Sequence, residues 1–297
     1  MLKSARIVLL LGLLLPLFLF ASCENDEGGG TSPPPPIPQP VVDPDDSTRV
    51  LVPAGDCILG NTPDGWGNYA LPAGENPVYV DSFYIDHHEV SNQQYADYLD
   101  SAITDSQVFW IAGDIYDAPA SGRLLIQLTG EYSHISFIDS TVIFEPDSGF
   151  EQMPVVMVSW YGATAFAEYY GKRLPTEAEW EKAARGTSDY YGSIEGVGVG
   201  YIYPWGNDEP SGDFANFQDV TGAPESVDSY PLGMSWFGAF NMAGNVSEWT
   251  ATEVGNTRVH RGGSFVSQPE FLRTAVRALA DPITTHRTIG FRCAADQ

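Results

Sequence analysis

Three cysteines and five histidines are what this chain of 297 residues offers for thiolate or soft-metal chemistry. Soft thiolates select copper(I), zinc or iron–sulfur clusters, and such sites need several donors converging on one point. Cys23, Cys57 and Cys293 are widely separated, and no cysteine lies between the last two. Two readings stay open for Cys57 and Cys293: a disulfide, as leftover cysteines often form in an oxidising compartment, or two buried unpaired thiols. His87 and His88 are adjacent. On a strand they point to opposite faces and cannot chelate one ion together. His260 and His286 lack a partner cluster at ligand spacing. There is no Gly-x-Ser-x-Gly elbow and no Walker phosphate loop.

Charge narrows the partners. Lys plus Arg is 14 against 39 for Asp plus Glu, a net charge of −25. Such a chain repels nucleic-acid backbones and anionic membrane surfaces. Membrane attachment must therefore come from something other than charge. Lys3 and Arg6 precede an apolar run over 7–20, followed by Ala21-Ser22-Cys23. A basic start, a short apolar core and small residues before a cleavage point read as a secretory signal over 1–22. A cysteine directly after those small residues looks like a bacterial lipoprotein signal, with Cys23 as the lipidated residue. Residues 23–48 then read as an acidic, Gly- and Pro-rich tether that cannot bury a core. In polyproline II it extends ~3.1 Å per residue.

The folded domain is expected over 49–297. A hydrophobic share of 43%, with 12% aromatic residues, suffices for a sizeable core. Residues 50–55 read as a strand ending in a turn, and residues 78–85 alternate as one continuous strand. Ser91 reads as the N-cap of a helix burying Tyr95, Tyr98 and Leu99. Residues 123–128 and 134–144 read as two strands paired with each other. Ser159 caps a helix over 161–170 that Gly171 stops. Thr176 and Glu179 form a capping box for a further helix ending at Gly186. Beyond Gly186 the chain is rich in Gly, Tyr, Asp and Asn and reads as loops held by packed aromatics.

Several separated segments then fall in one order: Phe83-Tyr84-Ile85-Asp86 with Glu89-Val90, Met153-Pro154-Val155-Val156, Gly171-Lys172-Arg173-Leu174-Pro175-Thr176-Glu177-Ala178-Glu179-Trp180, Tyr203-Pro204-Trp205-Gly206-Asn207, Gly244-Asn245-Val246, Arg261-Gly262-Gly263-Ser264 and Gly290-Phe291-Arg292. Over about 50–296 the chain resembles the formylglycine-generating-enzyme, or sulfatase-modifying-factor, domain family. The resemblance implies one α+β domain with little regular secondary structure and a C-type-lectin-like fold.

In active members of that family a cysteine pair after Arg-Gly-Gly-Ser binds copper(I) and uses oxygen to convert a substrate cysteine to formylglycine. The matching positions here are Ser267 and Leu272, and Ser264 matches a further active-site position. A serine hydroxyl is a poor copper(I) ligand and leucine is none, so no copper is expected. A family tryptophan of the site is replaced by Ser247. The resemblance also implies structural calcium held by the Asn241 side chain, the Gly244 and Val246 carbonyls and the Glu248 carboxylate, an all-oxygen set suited to a hard cation. A second calcium site matches Asn216 and the Phe217 carbonyl, with Asp219 beside them. The alternative is that these side chains only hydrogen-bond their loops. The usual family partner of the Cys293 position is Ala167 here, which leaves Cys57 as the internal candidate. Expected, then, is a lipid-anchored, non-catalytic domain of the cell envelope, periplasmic or at the cell surface, binding a protein or glycan ligand. Phe265, Ser267, Phe271, Arg277 and His286 are the candidate ligand surface, with Trp236 and Phe237 nearby in the loop-rich half. The alternatives are a divergent oxidoreductase modifying an exported protein and a structural subunit of an envelope complex.

Overall fold

In the computed structural model, the strand Phe83–Asp86 is where the two ends of the folded domain meet. Arg49–Val52 pairs antiparallel on one side of it and Ala294–Asp296 on the other. Phe83 and Ile85 point into the core and are fully buried. The structure describes residues 49–60, 77–118, 122–138, 143–187, 193–194, 197–198 and 200–297, all within one compact unit, Pro40–Gln297. The signal segment, the tether and Cys23 lie outside the described residues.

Three helices stand among many short strands in the described residues, as an α+β domain requires. Helix α1 (Asn92–Thr104) starts at Ser91, whose hydroxyl accepts from Gln94 while the Gln94 side chain returns to the Ser91 backbone. Its buried face carries Tyr95, Tyr98, Leu99 and Ala102. Helix α2 (Trp160–Tyr169) is capped by Ser159. Tyr95 lies flat on Phe166 of α2, with centroids 5.6 Å apart, and Tyr98 meets the same ring edge-on. Each buried aromatic of this kind contributes about 1.5–3 kcal/mol through burial. Helix α3 (Glu177–Arg185) has the expected capping box, with Thr176 Oγ1 accepting from Glu179 N and Glu179 Oε2 accepting from Thr176 N. It ends at Gly186 in a positive-φ conformation and places Trp180 in a second core cluster against Val52, Ile85 and Met242.

A four-stranded sheet carries the C-terminal third in the order Arg277–Ala280, Thr257–Arg261, Ser247–Val254, Ile289–Gly290. Its first three strands are antiparallel, and Ile289–Gly290 runs parallel to Ser247–Val254. Among the described residues, no helix is long and apolar enough to cross a membrane.

Two expectations change, and one open alternative is decided. Residues 78–85 are two strands, not one: Val78–Val80 pairs with Gly55–Cys57, whereas Phe83–Asp86 belongs to the sheet above. The inward positions slip from even (Val80) to odd (Phe83, Ile85) across Asp81-Ser82. A one-residue slip turns the opposite face inward, and here it moves the chain between sheets. Residues 123–128 do not pair with 134–144. Leu124–Ile126 pairs with Asp114–Tyr116, itself paired with Phe109–Ile111, and Ile135–Ile138 forms a hairpin with Ile143–Pro146. Of the two readings left open for Cys57 and Cys293, the structure has the buried thiols: the two are not bonded to each other. Cys57 sits in the cluster around Trp180 and Cys293 in the cluster around Tyr95 and Phe166. Burial pushes the Cys57 thiol up to about 12, which leaves it protonated and unreactive.

The contact between α2 and the Leu124–Ile126 strand depends on a missing side chain. A Cβ at Gly162 would lie 2.1 Å from the Leu125 carbonyl oxygen and 2.9 Å from the Tyr95 hydroxyl. Gly162→Ala is expected to destabilise the domain by about 3 kcal/mol, the upper end for overpacking, because a backbone carbonyl cannot rotate away. Urea unfolding measures this; an unchanged midpoint would contradict so close an approach.

Candidate functional site

The loop from Asn241 to Glu248 is built from residues that tolerate left-handed backbone. Asn241 (φ 54°), Gly244 (φ 81°) and Asn245 (φ 51°) all have positive φ, the conformation Gly and Asn adopt at least cost. At Gly244 a Cβ would also lie 2.3 Å from the Asn216 carbonyl oxygen. The loop ends at Glu248, which is fully buried. Its Oε2 accepts from Trp180 Nε1 (2.7 Å) and Arg292 Nε (2.7 Å), and its Oε1 from Arg292 Nη2 (2.7 Å). Arg292 also donates to the carbonyls of Asp86, His87 and Phe240. Burial works against the Arg292 charge, but the Glu248 carboxylate outweighs it, and the guanidinium pKa lies above its ordinary range.

Beside this pair lies a second buried acid. Glu89 accepts from Asn245 Nδ2 (2.9 Å) and Asn241 Nδ2 (3.1 Å). Burial raises its pKa, opposed by the Arg292 charge. The Asn241 amide nitrogen is thus committed to Glu89 and to the Val227 carbonyl. Among the described residues its Oδ1 is buried with no hydrogen-bond donor, and Glu248 Oε1 has lone-pair capacity beyond its bond to Arg292. An amide oxygen and a carboxylate oxygen are donor types that a hard cation takes. The Asn216 loop is arranged otherwise. Asn216 Oδ1 accepts from Thr221 Oγ1 and Nδ2 donates to the Ala223 carbonyl, while the Phe217 carbonyl accepts from Val220 N at 3.4 Å. Asp219 is exposed, with a φ of 57°.

Gly244 N donates to the Gly262 carbonyl and Phe265 N to the Asn245 carbonyl. This loop therefore fixes one wall of a cleft of about 270 Å³, lined by residues that include Ser247, His260, Ser264, Ser267, Phe271, Arg277 and Thr288. Ser267 Oγ accepts from Ser264 N at 2.9 Å and lies 3.4 Å from Ser264 Oγ. Ser247 Oγ donates to the Arg261 carbonyl (2.9 Å) and is 2.6 Å from His260 Nδ1. Both contacts are satisfied when His260 carries its proton on Nδ1 and donates it to Ser247. Burial, with His286 adding to it, pushes the His260 imidazole down to about 4, so the ring is neutral at pH 7. Beneath the cleft, Arg261 pairs with Glu177 (2.5 Å) and Glu181 (2.8 Å), Arg277 Nε with Glu177 (3.0 Å) and Arg185 with Glu181 (2.7 Å). Glu177 and Glu181 thus each bridge two guanidinium groups. Among the described residues the Arg277 Nη groups donate no hydrogen bond.

The structure brings Ser267, Phe271 and Arg277 of the candidate surface into one cleft together with Ser264. Two other members of the candidate surface lie elsewhere. Phe265 is only 1% exposed; it turns inward beneath the Arg287 guanidinium, 5.0 Å from its ring centroid. His286 is exposed outside the cleft lining, its Nδ1 2.7 Å from Thr288 Oγ1. Leu272 is fully buried with Tyr203, Ala215, Phe217 and Ala243, so of the two cysteine-matching positions only Ser267 reaches the cleft. His87 and His88 also differ from expectation. The strand ends at Asp86, and their rings lie 5.8 Å apart, both close to Phe240. No group of three or more His, Cys, Asp or Glu residues among those described is placed to hold a metal. Glu89, His260 and Thr288 were not singled out as site residues. The signals for them were indirect: two asparagines needing an acceptor, and strand neighbours of the motif residues.

Residues 37–297 match the family model of the sulfatase-modifying factor enzyme 1-like domain. The chain is 31% identical over 295 residues to the bovine formylglycine-generating enzyme, covering 83% of this chain and 74% of that enzyme. It is 29% identical over 286 residues to the hercynine oxygenase of Mycolicibacterium smegmatis, covering 84% of this chain and 61% of that protein, under two thirds of its length. In backbone it is similar to the crystal structure of CarF, with a TM-score of 0.54, 22% identity, and coverage of 84% of this chain and 98% of that one.

Removing Arg292 would leave the Glu248 charge buried and uncompensated. Arg292→Met is expected to cost about 3–5 kcal/mol. Replacing both partners together, as Glu248→Gln with Arg292→Met, should cost less than the sum of the single changes. Chemical denaturation of the four proteins measures the coupling, and additive losses would contradict a direct buried pair.

Proposed function

The chain belongs to the family of sulfatase-modifying factor enzyme 1-like domains, and from that membership and the make-up of its cleft we propose that it is a non-catalytic, ligand-binding member acting at the cell envelope. The observation that carries the reading is the fate of the two positions where the resemblance places copper(I) ligands. Ser267 stands on the cleft wall and Leu272 inside the core. The remaining thiols of the domain, Cys57 and Cys293, are buried in other clusters. A soft ion would meet hydroxyls, a neutral imidazole and a guanidinium, a poor set for copper(I).

What the cleft does offer is recognition chemistry. Phe271 supplies an exposed aromatic face, 43% accessible. Ser264, Ser267 and Thr288 supply hydroxyls, and Arg277 supplies Nη groups that donate no hydrogen bond among the described residues. This combination suits a ligand group bearing a carboxylate. Calcium at Asn241 Oδ1, the Gly244 and Val246 carbonyls and Glu248 would be structural, neutralising buried oxygens and fixing the loop on which the cleft wall depends. Lipid on Cys23 would hold the domain at the membrane despite its negative charge.

The test incubates the chain with copper(I), oxygen and a cysteine-containing peptide, followed by aldehyde trapping. No aldehyde above a thiol-free control is expected; aldehyde formation that Ser267→Ala abolishes would establish the oxidoreductase reading instead. In parallel, N-acetyl amino acids should raise the melting temperature of the chain but not that of Arg277→Gln, and equal shifts in both proteins would exclude the carboxylate site. Labelled fatty acid should enter the wild-type chain and not Cys23→Ser; equal labelling would remove the anchor from the account.

A further inference from the structure

A second site lies outside the cleft and shares no lining residue with it. It is an open cavity of about 530 Å³ between two segments, 201–208 and 234–236. Its walls are aromatic, and the rings are held in fixed attitudes. Trp205 stacks with Tyr203 and with Phe214, within 4° and 7° of parallel and each at 5.2 Å, and its Nε1 donates to the Asp208 carbonyl at 3.0 Å. These contacts hold Trp205 in place as a wall of the cavity. Trp236 is different. Its indole rests against the backbone of Gly186, where a Cβ would lie 2.6 Å from Trp236 Cγ. Its centroid is 5.5 Å from that of Tyr201, the rings tilted by 43°. Yet it remains 55% exposed, an unusual state for so large an apolar side chain held in place on both counts.

The polar groups around these rings are uncommitted. Among the described residues, the Trp236 indole N–H, the Tyr201 hydroxyl and the Asp208 carboxylate make no hydrogen bond. Asn207 Oδ1 accepts from Ile202 N at 3.1 Å, which leaves its NH₂ as a donor with no partner in the described residues. The cavity thus presents two N–H donors, a hydroxyl that both donates and accepts, and a carboxylate that only accepts, next to an exposed indole face.

We propose that this cavity binds a neutral glycan, with one pyranose ring lying on Trp236 and its hydroxyls shared between Asp208 and the donors of Asn207 and Trp236. A pyranose has an apolar face of C–H bonds carrying slight positive charge, which matches the negative face of an indole. Its rim carries hydroxyls that each donate and accept, and these need partners of both kinds. A cationic ligand would use the ring and the carboxylate but would leave the two N–H donors facing a like-signed group, desolvated and unpaired, at a cost. An anionic ligand would be repelled by Asp208 and by the net charge of −25.

The experiment titrates the full chain, solubilised in a neutral detergent, with cellotetraose, maltotetraose and chitotetraose, following tryptophan fluorescence and calorimetric heat. Saturable binding of at least one of these at millimolar concentration is expected. Trp236→Ala should weaken it about tenfold, as the loss of one aromatic stack implies, and Trp236→Phe should retain part of it. Asp208→Ala removes no side-chain hydrogen bond among the described residues and should leave the melting temperature unchanged while weakening binding. The ligand-induced shift of the cleft variant Arg277→Gln should match wild type, which separates failure here from failure of the proposed cleft function. No binding of any of the three saccharides, binding that survives Trp236→Ala and Asp208→Ala, or preferential binding of pentalysine would each overturn the proposal.

Discussion

The buried pair between Glu248 and Arg292 is the interaction on which the remaining architecture depends. Glu248 is the second residue of a strand of the C-terminal sheet, Ser247–Val254, and Arg292 lies between that sheet and the C-terminal strand Ala294–Asp296. With its remaining donors the guanidinium takes the carbonyls of Asp86, His87 and Phe240. One side chain therefore ties the end of the N-terminal sheet, the segment before the Asn241 loop and the start of the C-terminal sheet. Taking a lone charge from water costs several kcal/mol. The bidentate geometry, the Trp180 N–H and the three carbonyls offset that cost by leaving no donor of Arg292 unpaired. A hydrophobic replacement could be as stable, but it would not specify where three irregular segments meet.

The cleft inherits its shape from this centre. Its wall hangs from the Asn241 loop through backbone bonds between Gly244 and Gly262 and between Asn245 and Phe265, and its floor is the Arg261–Glu177–Glu181–Arg185 network reaching into α3. None of these groups depends on what the exposed residues of the cleft do chemically. The scaffold can therefore persist when the reactive residues are exchanged, and function must be argued from the site rather than from the fold. Ser247, Ser264 and Ser267 turn that surface into a set of hydroxyls around a neutral histidine.

Much of the local structure was legible because local chemistry determines it. Ser91, Ser159 and Thr176 each close a helix start through hydrogen bonds within four residues, and Gly171 and Gly186 end helices by adopting positive φ. These need no knowledge of distant segments. The Asp81-Ser82 crossover was hidden because both halves of the run alternate, and only the identity of their distant partners reveals the slip in phase. The same holds for the strand pairings between residues 109 and 146. Phe265 reads as surface by its position beside Ser264, yet it is buried, with Arg287, more than twenty positions on, lying over its ring. The Trp236 platform was legible only in part. The tryptophan itself was noticed, but its relation to Tyr201 and Gly186 depends on how a loop-rich segment packs.

The central claim is that, among the described residues, no pair of sulfur donors meets in the cleft; the proposal that goes with it is a hard cation at the Asn241 loop. Metal analysis tests it most directly: the purified chain is dialysed against calcium and copper(I) together, washed, and its content read by mass spectrometry. The account predicts retained calcium that Asn241→Ala removes, with copper at background. Copper retained in stoichiometric amount, and lost when the cleft serines are replaced or the thiols are blocked, would contradict it.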